Sequence, residues 1–138
     1  MSELPADIKE HNRRLMAEFR ANKGVGDRHL LLLTTTGAKT GLRRTTPMMY
    51  VPDGDRLLVI ASNAGAPRHP DWFHNLVANP EVMVEVGADR YDATAVVTDG
   101  AERDRLFAGI AERYPFFADH QAGVSRQIPV VALLRRES

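Results

Sequence analysis

Two apolar runs, Thr45–Val51 and Arg56–Ser62 (RLLVIAS), are separated only by Pro52-Asp53-Gly54-Asp55. Those four residues are turn chemistry, and a link this short joins only antiparallel neighbours, because a parallel crossover needs a dozen or more residues. The pattern recurs downstream. Val82, Val84 and Val86 alternate with other residues, as do Tyr91, Ala93, Ala95 and Val97, and Gly87-Ala88-Asp89 joins the two; both read as strands of one hairpin. His29–Thr36 (HLLLLTTT) is a short apolar run bounded by turn residues, as a buried strand would be. Ile128–Leu134 (IPVVALL) is apolar without alternation, which fits a strand covered on both faces. About six strands with two tight hairpins favour a mainly antiparallel barrel over a doubly wound sheet, which would need strands and helices in regular alternation.

Helices make the other connections. Leu4, Ile8, Leu15 and Phe19 share one helical face, so residues 5–22 read as an amphipathic helix closed by Asn22-Lys23-Gly24. Val25-Gly26-Asp27 then serves as a linker. The chain divides into residues 1–27, helix and linker, and residues 28–138, the barrel, within a single domain overall. Pro70 suits the first position of a short helix over residues 70–78 (PDWFHNLVA), which Asn79-Pro80 stops. Asp99 is placed to cap a helix over residues 100–113 with Leu106, Phe107, Ile110 and Tyr114 facing inward. Pro115 ends it, leaving YPFFADHQ as an aromatic loop.

Composition narrows the chemistry. The absence of cysteine removes disulfides, thiolate metal sites and cysteine nucleophiles, and fits a cytoplasmic protein. A net charge of zero argues against a nucleic-acid partner. The first ten residues, MSELPADIKE, lack the apolar core of a signal peptide, and no apolar run is long enough to span a bilayer. GAKTG lacks the spacing of a P-loop, and no GxGxxG occurs. Ser62 lacks the flanking glycines of a nucleophile elbow. His69 and His74 are five apart rather than four, with no acid to complete a metal set, so no metal is expected.

The charge is unevenly spread. Residues 28–70 hold six basic side chains against two acidic ones, and no acid stands between Asp27 and Asp53. Within that segment lies TTTGAKTGLRRTTP, residues 34–47. Gly37 and Gly41 allow a turn with inward amides, Lys39 sits at its tip, and Arg44 enters the next strand. Such a loop is either a hairpin with solvated cations or a grip for an anion such as phosphate. Ala61-Ser62-Asn63-Ala64-Gly65-Ala66 is nearly all small residues at a strand end, either a surface loop or a place where a flat ligand approaches the backbone. Trp72 and Phe73 add aromatic area beside it. Tyr114, Phe116, Phe117 and His120 wall an apolar pocket or tuck into the core.

Taken in order, TTTGAKTGLRRTTPMMYV, DRLLVIASNAGAPRHPDWFHNLVANPEVMVEV and RYPFFADHQAGVSRQIPVVAL resemble the deazaflavin-dependent nitroreductase family, over about residues 28–134. The linked patterns TTTGxKTG, PxWxxNLxANP and RxIPVV carry the resemblance. It implies an α+β, mainly β fold: a split antiparallel β-barrel related to FMN-binding barrels, with an N-terminal helix and connecting helices. It also implies the deazaflavin coenzyme F420, and hydride transfer from its reduced form to quinones, nitro compounds or other electron-poor acceptors. Ala38, Lys39, Thr40 and Arg44 match phosphate-binding positions. Thr45, Thr46, Pro47, Met48 and Met49 match the strand edge along the deazaflavin. Ile60, Ala61, Ser62 and Asn63 match the backbone facing the ring, and Asp71, Trp72, Phe73, His74 and Asn75 the helix start that closes over it. Tyr114, Phe117 and His120 match the aromatic wall of the acceptor pocket.

The departures matter too. Ala38 and Asn63 stand where relatives often carry cations, and Phe117 and His120 replace tyrosines that serve nitroimidazole activation. Alternatives to an F420 reductase are an FMN-dependent oxidoreductase of the same superfamily and a non-catalytic protein that stores a cofactor or carries a fatty acid. The expected partner is a small-molecule electron acceptor, for a protein that is a monomer or a homodimer. The N-terminal helix is expected first to pack on the barrel, with covering the pocket or peripheral contact at the inner membrane face as its alternatives.

Overall fold

The computed structural model describes residues 4–22 and 29–136. Six strands, β1 (Leu30–Thr36), β2 (Arg43–Asp53), β3 (Arg56–Ile60), β4 (Glu81–Val86), β5 (Asp89–Val97) and β6 (Val130–Arg135), close into a barrel in the order β1-β2-β3-β6-β5-β4. Every neighbouring pair is antiparallel. Around this split barrel run α1 (Leu4–Asn22), α2 (Asp71–Ala78), α3 (Gly100–Arg113) and α4 (Phe116–Ala122), with a 3-10 turn at Asn63–Gly65. In both hairpins the register, Asp53 opposite Arg56 and Val86 opposite Asp89, leaves two residues at the tip. Gly54 (φ +64) and Gly87 (φ +57) supply the left-handed backbone that such tips require.

Strand periodicity sorts the apolar residues onto two sides. Leu31 and Leu33 of β1, Val59 of β3, Val82 and Val84 of β4, Ala93 and Ala95 of β5, and Val131 and Leu133 of β6 form one buried cluster, the barrel interior. Leu76, Trp72 and Phe73 of α2 pack on the same cluster, so α2 closes one end of the barrel. The intervening positions point outward and are covered. Leu58, Ile60, Val130 and Ala132 lie under Leu106, Phe107 and Ile110 of α3 and Phe117 of α4. Leu32 lies under Phe19 of α1, with Leu15 and Met16 beside it. β1 and β6 are therefore covered on both faces, which is why their sequences do not alternate.

α1 carries Leu15 and Phe19 as expected, whereas the side chains of Leu4 and Ile8 and the linker Val25–Asp27 lie outside the described residues. Four expectations need correction. YPFFADHQ is not a loop, because Phe116–Ala122 forms α4. Pro115, at φ −57, begins this helix as well as following α3, and burial of Phe117 anchors it. Pro70 precedes α2 in extended conformation, so the helix starts at Asp71. Asp99 sits at the cap of α3, but its carboxylate accepts no hydrogen bond from the helix amides. β2 starts at Arg43, two residues before Thr45, because Thr35 and Thr36 still pair with Arg44 and Arg43.

The in-out assignment of β6 gives a direct test on adjacent residues. Leu133 is 1 % exposed and Leu134 is 38 % exposed. Leu133→Ala is expected to lower the unfolding free energy by about 2–5 kcal/mol, and Leu134→Ala by about 1 kcal/mol or less, in urea denaturation. Equal losses would contradict the assignment.

Candidate functional site

The loop between β1 and β2 is built mainly by its own backbone. The Gly37 amide donates to the Leu42 carbonyl (2.8 Å), the Gly41 amide to the Gly37 carbonyl (3.0 Å) and the Leu42 amide to Thr40 Oγ1 (3.2 Å). Gly41 adopts φ +72. At Gly37 the constraint is space, since a Cβ there would lie 2.7 Å from Thr40 Oγ1. The glycine amides are thus engaged in the turn and do not face a ligand, contrary to the sequence-based expectation. Asn75 of α2 ties the loop down. Its Oδ1 accepts from the Ala38 amide (3.0 Å) and its Nδ2 donates to Thr35 Oγ1 (3.3 Å). Asn79 adds a bond to the Thr36 carbonyl at 3.3 Å.

These ties bring the loop against the start of α2 and form a cleft of about 640 Å³ lined by Gly37, Ala38, Lys39, Thr40, Arg44, Asp71, His74 and Asn75. Lys39 and Arg44 are exposed, and neither forms an ion pair among the described residues. By contrast, Arg56 lies between Asp53 (2.8 Å) and Glu102 (3.1 Å), whose hydrogen bonds hold its pKa above the ordinary arginine value. Two cations without counter-charges beside a helix N-terminus favour an anion, while Asp71 in the same cleft limits the net charge.

The other predicted residues lie along a path leading away from this cleft. His74 meets His69 edge-on at 5.6 Å between ring centroids, and His69 lies 4.7 Å from Phe73. His69 Nδ1 is 2.8 Å from Nη1 of Arg126. A guanidinium only donates, so Nδ1 accepts and the proton of neutral His69 resides on Nε2. Arg126 also donates to the carbonyls of Ala61 (3.2 Å), Ser62 (2.8 Å) and Ala66 (3.1 and 3.2 Å). The small-residue segment after β3 is therefore fastened from behind. Burial, then Arg126 and His74, hold His69 below its ordinary pKa, and burial alone lowers that of Arg126. The RxIPVV pattern contains Arg126, but nothing local in the sequence shows that it reaches residues some sixty positions earlier.

At the far side of that segment stands α4. A Cβ on Gly65 would come within 3.2 Å of His120 Cδ2, so the ring packs on the glycine. His120 Nδ1 is buried and has no hydrogen-bond partner. Its ring meets Phe116 and Phe117 edge-on, at 5.7 and 6.1 Å. Phe117 is a core side chain, whereas Tyr114 is half-buried. On β2, Thr45 Oγ1 shares a hydrogen bond with Thr34 Oγ1 (2.8 Å), and Met48 packs on the barrel interior. Ala61 and Ser62 are buried, Ile60 belongs to the outer core, and Asn63 is exposed with Nδ2 on the Arg68 carbonyl (3.0 Å). Among the described residues no cluster suits a metal ion, and no helix is long and apolar enough to cross a membrane.

With this geometry established, comparison with known proteins is specific. A family model described as F420H(2)-dependent quinone reductase matches residues 10–135. An F420H(2)-dependent quinone reductase of Mycobacterium tuberculosis is 46% identical over 109 residues, which cover 77% of this chain and 73% of the relative. The solved structure of an F420-H2 dependent reductase, FDR-A, matches with a TM-score of 0.70 at 39% identity, covering 77% of this chain and 94% of that one. A further structure, described as a domain-swapped dimer, reaches 0.71 at 36% identity, covering 88% and 96%.

Two measurements probe the site without a ligand. Asn75→Ala should destabilise the protein by about 1 kcal/mol and speed hydrogen exchange at the Ala38 amide well beyond any change in β4 and β5. For His69 the sign follows from its depressed pKa. As pH falls through the ordinary value of 6.5, the unfolded chain takes up a proton that the folded chain still refuses. Stability present above pH 6.5 is lost between that value and the folded-state pKa. Urea midpoints should fall between about pH 7.5 and 5.5, and His69→Asn should flatten this drop. An unaltered slope in the variant would remove His69 from the account.

Proposed function

The chain belongs to the F420H(2)-dependent quinone reductase family, and from that premise we propose that the Lys39–Arg44 cleft takes the phosphate of a deazaflavin coenzyme. The observation that carries this reading is the pair of cations, unpaired among the described residues, on one side of an otherwise well-bonded loop. Guanidinium and ammonium groups bind phosphate oxygens through charge-assisted hydrogen bonds, and loss of one such bond weakens binding by roughly 1–3 kcal/mol. Ala38 in place of a further cation concentrates that role on Lys39 and Arg44.

In this reading Thr45–Met49 and Ile60–Asn63 run along the ring, and Trp72 and Phe73 support the helix that covers it. Asp71, His74, Asn75 and Thr40 shape the phosphate end. When bound, the reduced coenzyme supplies the hydride for an electron-poor acceptor such as a quinone. The residues of this chain bind and orient, and they hold the acceptor close enough for transfer. Tyr114 and His120 border the acceptor, with Phe117 behind them in the core. Two observations support His120 as the polar group there: its Nδ1 is buried without a partner, and its ring packs on Gly65. A nitro compound is a second acceptor class, and the replacement of tyrosine at positions 117 and 120 places quinones first. We place the protein in the cytoplasm.

Calorimetric titration of cofactor-free protein with F420 and with FMN tests the reading. F420 should bind, FMN should not, and reduced F420 should be consumed in the presence of menadione. Lys39→Ala and Arg44→Ala should each weaken F420 binding by about 1–3 kcal/mol, and the double variant should bind more weakly than either. Tight FMN binding without F420 binding would overturn the cofactor assignment; F420 binding without menadione turnover would favour a storage role.

A further inference from the structure

Arg126 is half-buried, and every acceptor it meets is neutral: three backbone carbonyls and His69 Nδ1. Removing a guanidinium from water without a counter-charge is unfavourable, so simple packing does not account for the residue. Its planar fork does something that neither lysine nor a hydrophobic side chain does, which is to hold several carbonyls at once in fixed directions.

The segment it holds needs such a restraint. Ser62 lies in the right-handed helical region, and the next two residues, Asn63 (φ +52) and Ala64 (φ +55), lie in the left-handed region. Neither is glycine, and consecutive L-residues there are strained unless their surroundings over-determine the shape. The carbonyls of Ser62 and Ala66, on either side of the strained pair, are both bonded to Arg126. Among the described residues the amides of Ser62, Asn63 and Ala64 meet no backbone acceptor. A right-handed residue followed by a left-handed one directs successive amides to one side, the arrangement that receives an oxygen atom.

Arg126 is itself fixed in place. Gln121 Nε2 donates to its carbonyl (2.7 Å), and Gln121 Oε1 accepts from the Ile128 amide (2.8 Å) and from Arg103 Nη2 (2.9 Å). Arg103, itself buried, also donates to the Ile128 carbonyl.

We infer that Arg126 is a positioning residue of the coenzyme site, holding residues 61–66 in the strained shape that leaves three amides free for a ligand oxygen, with neutral His69 as its side-chain acceptor. The inference rests on the functional reading above, in which this segment faces the coenzyme ring. It carries a pH signature that a packing role would lack. Protonated His69 would present a donor to a donor, and Arg126 would lose that anchor. The charged and titratable groups facing His69 are Arg126 and, across α2, His74, beyond which lie Asp71, Lys39 and Arg44 of the cleft.

The experiment uses the full chain, with and without F420. In cofactor-free protein, nitrogen-15 histidine spectra should show His69 with Nδ1 bare and Nε2 protonated. Arg126→Lys should speed amide exchange at residues 62–66, leave β4 and β5 protected, and raise the Kd for F420 at least tenfold. Wild-type affinity should weaken as pH falls below 6.5. His69→Asn, which keeps an acceptor near the Nδ1 position, should match wild-type affinity above that pH and lose the weakening below it. His69→Leu should bind more weakly at every pH, and it replaces Arg126→Lys as the deciding variant if the latter does not fold. Wild-type protein that binds no F420 overturns the functional reading and this inference together. Wild-type binding with unaltered affinity and loop exchange in the deciding variant overturns the inference alone.

Discussion

The pairing of β1 with β4 closes the barrel, and the rest of the structure depends on that closure. Leu32, Leu33 and Thr34 of β1 lie opposite Glu85, Val84 and Met83 of β4, while the other edge of β1 pairs with β2 along its whole length. A closed sheet leaves no open edge, and it forces alternate side chains inward or outward. Once Leu31 and Leu33 face in, Leu32 must face out, where Phe19 of α1 covers it. The end of β1 then delivers Thr35 and Thr36 to α2, and the loop that follows is held where Lys39 and Arg44 share one cleft.

Hydrogen bonds to uncharged partners hold the two segments of the candidate site to this scaffold. Asn75 fastens the 37–42 loop through one amide and one hydroxyl, and Arg126 fastens the 61–66 segment through carbonyls and an imidazole. Neither arrangement consumes the charge of Lys39 or Arg44. The fold therefore separates the groups that shape the cleft from the exposed cations Lys39 and Arg44. His74 of the cleft meets His69 edge-on, and His69 in turn contacts Arg126, which holds the strained segment. This economy suits a family in which the coenzyme carries the reaction and the protein supplies geometry.

Much of the architecture was legible in the residues. The turn chemistry of Pro52–Asp55 and Gly87–Asp89 forces tight antiparallel hairpins, and the unbroken apolar runs at β1 and β6 announce strands covered on both sides. Lys39, Arg44, Asp71, His74 and Asn75 were singled out and do gather at one cleft. The helical nature of Phe116–Ala122 was hidden because seven residues make only about two turns, too short to be stable or clearly patterned alone, and tertiary packing of Phe117 decides the outcome. The glycine amides of the 37–42 loop were misjudged for a related reason. Turn-forming residues reveal that a loop closes, but not whether its donors face inward or bond one another.

What the sequence determined by itself is local and repetitive: strand period, hairpin turns, helix stops, and the stretch without acids that makes one region cationic. Those features depend on neighbours a few positions apart, so reading along the chain exposes them. Only the tertiary structure decided that Arg126 would reach Ala61, Ser62, Ala66 and His69, that Asn75 would hold Ala38, and that His120 would pack on Gly65 with its Nδ1 unpartnered. These contacts join positions separated by about forty to sixty-five residues. Most of the hydrogen-bond partners are backbone carbonyls and amides, so side-chain identities along the chain do not mark them.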